Sequence, residues 1–384
     1  MLEKFLDAKP LYYDKIDYTR MPRVYEKIKL EFKTPKIIHL IGTNGKGTTG
    51  RFLASALHSL GFKTGHYTSP HILNFSERIW LNSEEVSDEA LNTAHTQLLK
   101  ILTPEDADSL SYFEYTTLLA MWIYQELDYV VLEAGLGGEF DATAPFDKKL
   151  TLVTPIDIDH QAFLGNTIKE IAKTKLNAVQ KSAILAFQKH EKVYEVAKAI
   201  SDERVSKFKR VDEYIDIDDK EKIQEISENL SLAPYLEDNL KLAISALKYL
   251  AIEYEVKNFL DSRLFGRLSH ISENIIVDVG HNTLAASSIL KALQGEKYIL
   301  IYNSYKDKNY TEILAILKPL ISHIEIIKIN DERAEKQEVL QEIIQDLGIV
   351  HKIFKKIDKN KKYLVFGSFS VVESFLKIYR ADSE

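Results

Sequence analysis

The sequence predicts an α/β protein: a parallel sheet covered by helices and carrying a P-loop for nucleotide, followed by a second, smaller α/β domain. Three observations lead there. Short apolar runs alternate with helix-period stretches, as in strands joined by crossover helices. One run, Ile37-Ile-His-Leu-Ile41, opens onto Gly42-Thr-Asn-Gly-Lys-Gly-Thr48 and then a helical pattern, so strand, phosphate cradle and helix start follow one another. The same rhythm restarts beyond Leu264-Phe-Gly-Arg-Leu268, and 384 residues suffice for two cores when domains run roughly 50–250 residues.

In chain order, the strand candidates of the first half are 36–41, 63–67, 129–133, 150–155 and 182–187. The helix candidates between and after them are 48–60, 87–101, 112–127, 167–180 and 237–254. Loops bearing Gly or Asp follow the C-terminal ends of the strands, where open α/β sheets bind ligands. Residues 212–228 mix acidic and basic side chains without clear periodicity and are expected to form a solvated excursion. Past the connector, strand and helix patterns resume at 274–279, 283–293, 298–302, 310–320, 323–329, 334–347, 363–366 and 369–379. The expected division is a nucleotide-binding domain over 1–265, a linker over 266–272 and a C-terminal domain over 273–384.

Composition excludes several classes of function. A hydrophobic content of 45% with 28% charged residues describes an ordinary globular chain. The net charge of −7 argues against non-specific nucleic-acid binding and leaves room for local basic pockets that take small anions. With no cysteine there is no disulfide, thiolate zinc site or cysteine nucleophile, so any metal must be held by oxygen or imidazole. No basic start with an apolar run behind it, and no run of about 18 apolar residues, is present, so neither a targeting segment nor a membrane span is expected and the cytoplasm is the expected location.

The loop at Gly42 points successive backbone N–H groups, among them those of Asn44, Gly45 and Gly47, at one spot beside a helix N-terminus, which suits a polyphosphate. Lys46 would neutralise phosphate oxygens and the Thr48 hydroxyl would meet Mg²⁺. The usual Walker loop has four residues between its first Gly and the Gly-Lys pair, whereas Gly42 and Gly45 enclose only two. Glu133 ends a strand ahead of Ala134-Gly-Leu-Gly-Gly138 and is a candidate Mg²⁺ ligand, with loop bracing as the competing role. Thr154-Pro-Ile-Asp-Ile-Asp-His160 brings Asp157, Asp159 and His160 to the same sheet edge, His160 as a candidate metal ligand or orienter. Ser69, before Pro70, either offers a hydroxyl to the crevice or serves turn geometry. Around Glu114, Phe113, Tyr115 and Thr116 start a helix and form either an aromatic shelf for a planar ring or core. Lys175 resembles any surface lysine by its surroundings. In the second half, Asp278-Val-Gly-His-Asn282 puts Asp278 where ribose hydroxyls would be met and His281 where phosphate or base would, with Asn282 a candidate helix cap; Arg267 could reach phosphate bidentately.

The ordered set of Gly42–Thr48, Tyr67-Thr-Ser-Pro-His71, Phe113-Glu-Tyr115, Leu132–Gly138 with Asp141-Ala-Thr143, Asp159-His160 with Leu164-Gly165, Gly266-Arg267 and Asp278–Asn282 strongly resembles the folylpolyglutamate synthase and dihydrofolate synthase family of the Mur ligase superfamily. Val365-Phe-Gly-Ser-Phe369 resembles the end of that family's C-terminal domain, and Gly47 favours its folate branch. The resemblance implies a Mur-ligase-like P-loop domain followed by a smaller Rossmann-like C-terminal domain. It implies an ATP-dependent ligase, in which a pterin carboxylate takes the γ-phosphate as an acyl phosphate and the amine of L-glutamate then displaces phosphate. The acid would be dihydropteroate, reduced folate, or both. Lys46 and two Mg²⁺ ions would neutralise the transferring phosphoryl group. Ser69, Glu133 and His160 fall at magnesium-ligand positions, and Lys175 at that of a lysine carbamylated into a further anionic ligand. Asn239 resembles a nucleotide-contacting asparagine, Arg267 a phosphate-contacting arginine and Asp278 a ribose-contacting aspartate. Pterin contacts would come from Asp17, Tyr18, Thr19 and Arg20 and from Phe113, Glu114, Tyr115 and Thr116. The family's small-molecule chemistry implies a monomer with no nucleic-acid or membrane partner.

Two departures stand out. The family often has Glu-Lys-Ala-Gly at its modified lysine, where this chain has Thr174-Lys-Leu-Asn177, and often Arg after Gly-Leu-Gly-Gly, where this chain has Glu139. The alternatives are a Mur-type ligase for a different acid and amino acid, or a nucleotide-binding protein without catalysis.

Overall fold

A computed structural model describes residues 1–9, 17–204 and 206–381, in two compact units: Met1–Leu232 with Leu236–Arg263, and Ala233–Tyr235 with Leu264–Glu384. Unit 1 is built on eight strands: β1 (Lys36–Ile41), β2 (Thr64–Tyr67), β3 (Ile79–Leu81), β4 (Glu84–Glu85), β5 (Tyr129–Glu133), β6 (Leu150–Val153), β7 (Ser182–Leu185) and β8 (Lys207–Arg210). Their order is β4-β3-β2-β5-β1-β6-β7-β8, parallel from β2 to β8 with the β3 and β4 pairings antiparallel.

The central strands are apolar on both faces because both are covered, as parallel strands require. Ile37, Val130 and Leu132 pack on one side with Leu118 and Leu119 of the helix Tyr112–Ile123. Ile38, Leu40 and Val131 pack on the other with Phe52, Leu53 and Leu57 of the helix Lys46–Ser59. His39 is the one buried polar side chain of β1, whose first residue, Lys36, is exposed. Register decides what reaches the sheet edge. Leu40 lies opposite Glu133 across the β1–β5 pair, and Ile41 opposite Val153 across β1–β6, so three loops open side by side.

Unit 2 holds β9 (Ser269–Ser272), β10 (Ile275–Val277), β11 (Tyr298–Tyr302), β12 (Ile321–Ile326), β13 (His351–Ile353) and β14 (Tyr363–Phe366). Their order is β13-β12-β11-β14-β10-β9, parallel except for β9. Leu300, Ile324, Leu364 and Phe366 form its core with Ile289, Leu314, Leu317 and Leu340 from covering helices.

Several elements differ from expectation. The supposed excursion at 212–228 contains the helix Ile217–Asn229, opened by an Asp216–Asp219 capping box and burying Ile223 and Ile226. Part of the expected linker 266–272 is strand β9. The helix expected over 167–180 stops at Leu176, that over 112–127 at Ile123, and that over 237–254 runs instead over Pro234–Tyr249. The helices Leu2–Asp7, Arg20–Ile28, Pro104–Ser109 and Glu191–Glu203 were not foreseen. Among the described residues no helix is long and apolar enough to cross a membrane.

Candidate active site

The loop after β1 is shaped by two glycines with left-handed φ, Gly42 (140°) and Gly45 (93°). Both are also places of close approach: a Cβ at Gly42 would lie 2.0 Å from Thr154 Oγ1, and one at Gly45 2.3 Å from Asn239 Oδ1. Asn239, on the helix Pro234–Tyr249, is thereby brought against the loop. The loop's far side is tied down by the Thr43 and Asn44 amides, which donate to the Pro155 carbonyl at 2.9 and 3.4 Å. Gly45 then serves as N-cap of the helix that begins at Lys46, with Gly47 and Thr48 buried in its first turn.

Two lysines converge on this loop. Lys46 Nζ lies 3.3 Å from both the Gly42 and Thr43 carbonyl oxygens and 3.8 Å from Glu133 Oε1. Lys175, from the helix Ile168–Leu176, is buried and donates to the Gly42 carbonyl at 2.8 Å. Burial, reinforced by the Lys46 charge and opposed by Asp159 and Asp141, lowers Lys175 to about 7. It is not the surface lysine its sequence surroundings suggest. Glu133 is buried at the end of β5, and its Oε2 accepts from the Thr68 hydroxyl. Sequence reasoning singled out Ser69 and missed Thr68; nothing in the local pattern separates the two hydroxyls, and only the β2–β5 register does.

Thr48 Oγ1 is buried and has no hydrogen-bond partner among the described residues, an orphan that calls for a cation or water. Thr48 and Glu133 together offer hard oxygen donors, the kind Mg²⁺ takes. No group of three or more His, Asp or Glu among the described residues could hold a metal ion, so protein ligands alone do not make the site. Mg²⁺ commonly completes its shell with phosphate oxygens and water. His160 is exposed, has φ 52°, and caps the short helix Gln161–Leu164; its amide donates to Asp159 Oδ1.

The expected pterin residues separate into two sets. Arg20 Nε meets Glu114 Oε2 at 2.6 Å in a largely buried ion pair, and Glu114 also closes a capping box with Ser111. Phe113 stays half-buried beside Gly135, where a Cβ would lie 2.6 Å from its ring, and stacks on Tyr67 at 5.8 Å. Tyr18, exposed, lies 4.7 Å from the exposed Phe140 ring, and Asp17 accepts from the amide and hydroxyl of Thr19. Tyr115 and Thr116 do not join them. Both are fully buried, Tyr115 bonded to His95 and Thr116 to Tyr67, so these two belong to the core.

In unit 2 the Asp278 carboxylate is buried and engaged by the Tyr235 hydroxyl (3.0 Å), the Leu268 amide (3.0 Å) and the Gly280 amide (2.8 Å). Burial raises its pKa despite Arg267. The carboxylate braces the turn that carries Arg267. Arg267 itself donates to the Gly266 carbonyl and lies over Phe369. His281 Nδ1 lies 3.2 Å from the Val279 carbonyl, and Asn282 caps the following helix.

The two departures from the family pattern prove to be partners. Asn177 Nδ2 donates to Glu139 Oε2 at 2.7 Å, while the Glu139 amide donates to the Thr174 carbonyl at 3.0 Å. The glycine loop is thus pinned to the helix of Lys175.

No family model matches the chain. It is 31% identical to a dihydrofolate synthase/folylpolyglutamate synthase of Buchnera aphidicola subsp. Schizaphis graminum, over 88% of this chain and 86% of that one. Among solved structures it is similar to Helicobacter pylori folylpolyglutamate synthetase, with 39% identity, TM-score 0.80 and coverage of 99% and 98% of the two chains. It is also similar to Escherichia coli FolC in complex with DHPP and ADP, with 25% identity, TM-score 0.81 and coverage of 99% and 97%.

Proposed function

This chain belongs to the dihydrofolate synthase/folylpolyglutamate synthase family, and from that premise we infer an ATP-dependent ligase that joins L-glutamate to a pterin carboxylate. The observation that carries the reading is the meeting of the Gly42 loop, Lys46, Lys175 and Glu133 at the ends of β1 and β5. The substrate carboxylate attacks the γ-phosphorus of ATP, giving an acyl phosphate and ADP. The glutamate amine then attacks the acyl carbon, phosphate leaves, and the amine proton is lost to solvent. Lys46 orients and neutralises the transferred phosphoryl group while loop amides hold the rest of the polyphosphate.

Thr48, Ser69, Glu133 and His160, with a carbamate on Lys175, would hold two Mg²⁺ ions. When bound, these ions would supply charge neutralisation on the phosphate oxygens. The low pKa of Lys175 supports carbamate formation, since only the neutral amine adds CO₂. Asn239 and Arg267 remain nucleotide contacts in this reading, Phe113 and Tyr18 the aromatic contacts of the pterin. The reaction belongs to the cytoplasm, with a monomer acting on small molecules.

The test is phosphate release from ATP and Mg²⁺ with L-glutamate, giving dihydropteroate in one reaction and reduced monoglutamyl folate in the other, with products identified by mass. Glutamylation of both acids is expected. Release with neither acid would overturn the pterin assignment and point to another Mur-type acid, and nucleotide binding without acid-stimulated release would overturn catalysis.

A further inference from the structure

β1 carries one polar side chain into the core of unit 1, and its partners lead to the glycine loop. His39 Nε2 lies 2.8 Å from Thr143 Oγ1, which lies 2.6 Å from Asp141 Oδ1. Asp141 accepts from the Thr143 amide at Oδ1 (2.9 Å) and from the Leu136 amide at Oδ2 (2.8 Å). His39 and Thr143 are fully buried and Asp141 nearly so.

Donor chemistry fixes the direction of this chain. A carboxylate engaged by two amides has only acceptor sites, so the single Thr143 proton goes to Asp141. The Thr143 oxygen must then accept from His39, which requires the tautomer protonated at Nε2. The other ring nitrogen, Nδ1, is buried with no partner among the described residues, and in this tautomer it is a bare lone pair rather than an unsatisfied N–H. Lys148 adds a nearby buried cation; it donates to the Ala144 carbonyl and acts electrostatically on both His39 and Asp141.

We propose that His39 is a positioning residue for the acid substrate: its Nε2–H, relayed through the Thr143 hydroxyl, holds Asp141 on the Leu136 amide and so fixes the loop whose Gly135 packs against Phe113. This rests on the reading of Phe113 as part of the pterin site. The loop begins directly after Glu133, and Gly135 packs so tightly on Phe113 that a displaced backbone would move the aromatic face. His39 stands three residues before Gly42, so the same strand that presents the phosphate loop sets the acid's seat.

The first test reads the tautomer. Correlation spectra of protein labelled with ¹⁵N-histidine, with H39Q assigning the signal, should show a neutral ring protonated at Nε2; protonation at Nδ1 overturns the proposal. The second reads kinetics with glutamate, ATP and either pterin acid. H39L and T143V should each raise the acid KM roughly fivefold or more, leave the ATP KM within about twofold, and combine in the double variant to no more than the worse single. H39Q and T143S, which keep a donor and a hydroxyl, should return the acid KM toward wild type. Additive losses, equal damage in H39Q and H39L, or a fall in melting temperature without a change in acid KM would each overturn it. Should H39L not fold, T143V against T143S reads the same link. Absence of wild-type turnover with both acids would sink the functional reading instead, and the spectra would still decide the relay.

Discussion

Lys46 stands between two kinds of oxygen, the carbonyls of its own loop and the carboxylate of Glu133. A phosphate entering the loop would take over those contacts, since Lys46 is more exposed than Lys175, which also reaches the Gly42 carbonyl. Lys46→Ala should therefore lower kcat at saturating ATP by about 10²–10³, the cost of one preorganised charge-stabilising donor. Thermal unfolding should stay near wild type, because the side chain adds little to the core. Phosphate-release assays beside a melting curve would check it, and turnover within about tenfold of wild type would remove the phosphate role. Much of this site was legible in sequence, since Gly42, Gly45, Lys46 and Glu133 are fixed by backbone needs that spacing reveals. What was not legible depends on which way a side chain points. Phe113 and Tyr115 are both aromatic residues in one helical turn, yet one stays half-buried beside Gly135 and the other bonds His95 in the core. The Glu139–Asn177 bond could not be read either, because it joins residues whose nearness exists only once β5 and the helix Ile168–Leu176 are packed.

At the scale of elements, the inner strands β1, β2, β5, β6 and β7 of unit 1 were plain because strands covered on both faces read as apolar runs, whereas the short or polar outer strands β3, β4 and β8 were not. The helix Ile217–Asn229 was hidden for the opposite reason. Its apolar stripe is narrow, resting on Ile223 and Ile226, and charged residues fill the remaining faces. It is nonetheless a structural element. Ile226 is fully buried in the cluster that contains Leu240, Ala243 and Phe259, and Asp219 accepts from the Tyr254 hydroxyl at 2.7 Å. Ile226→Ala should destabilise unit 1 by about 2–5 kcal/mol through lost burial and a residual cavity. A solvated excursion would lose less than about 0.5 kcal/mol, so denaturant titration of this one variant separates the two descriptions.

For the whole molecule, the buried histidines set how stability follows pH. His39 and His66 are fully buried and held well below the ordinary value of 6.5 by desolvation, helped by the Lys148 and Arg51 charges respectively. His71 is lowered to about 4 by burial and Arg78. In the unfolded chain each takes a proton as pH drops past 6.5 while the folded form does not. The unfolded state then binds more protons, so this stability is present above 6.5 and is lost as pH falls. The carboxylates with lowered pKa titrate below this window, and Asp141, raised by burial, works in the opposite sense. Lys148 and Lys175, lowered to about 7 from 10.5, act mainly above it, where stability still rises with pH. Between pH 6.5 and 5.5 His39 and His66 should together account for a loss of about 2 kcal/mol, near 1 kcal/mol each. The chain's two tryptophans, Trp80 and Trp122, both lie in unit 1, so urea denaturation followed by their fluorescence reports on the unit that holds these histidines. His66→Gln should remove about 1 kcal/mol of that slope, since its amide does not ionise in this range. A profile that stays flat from pH 6.5 to 5.5, or one that His66→Gln leaves unchanged, would mean that these imidazoles gain protons inside the folded core.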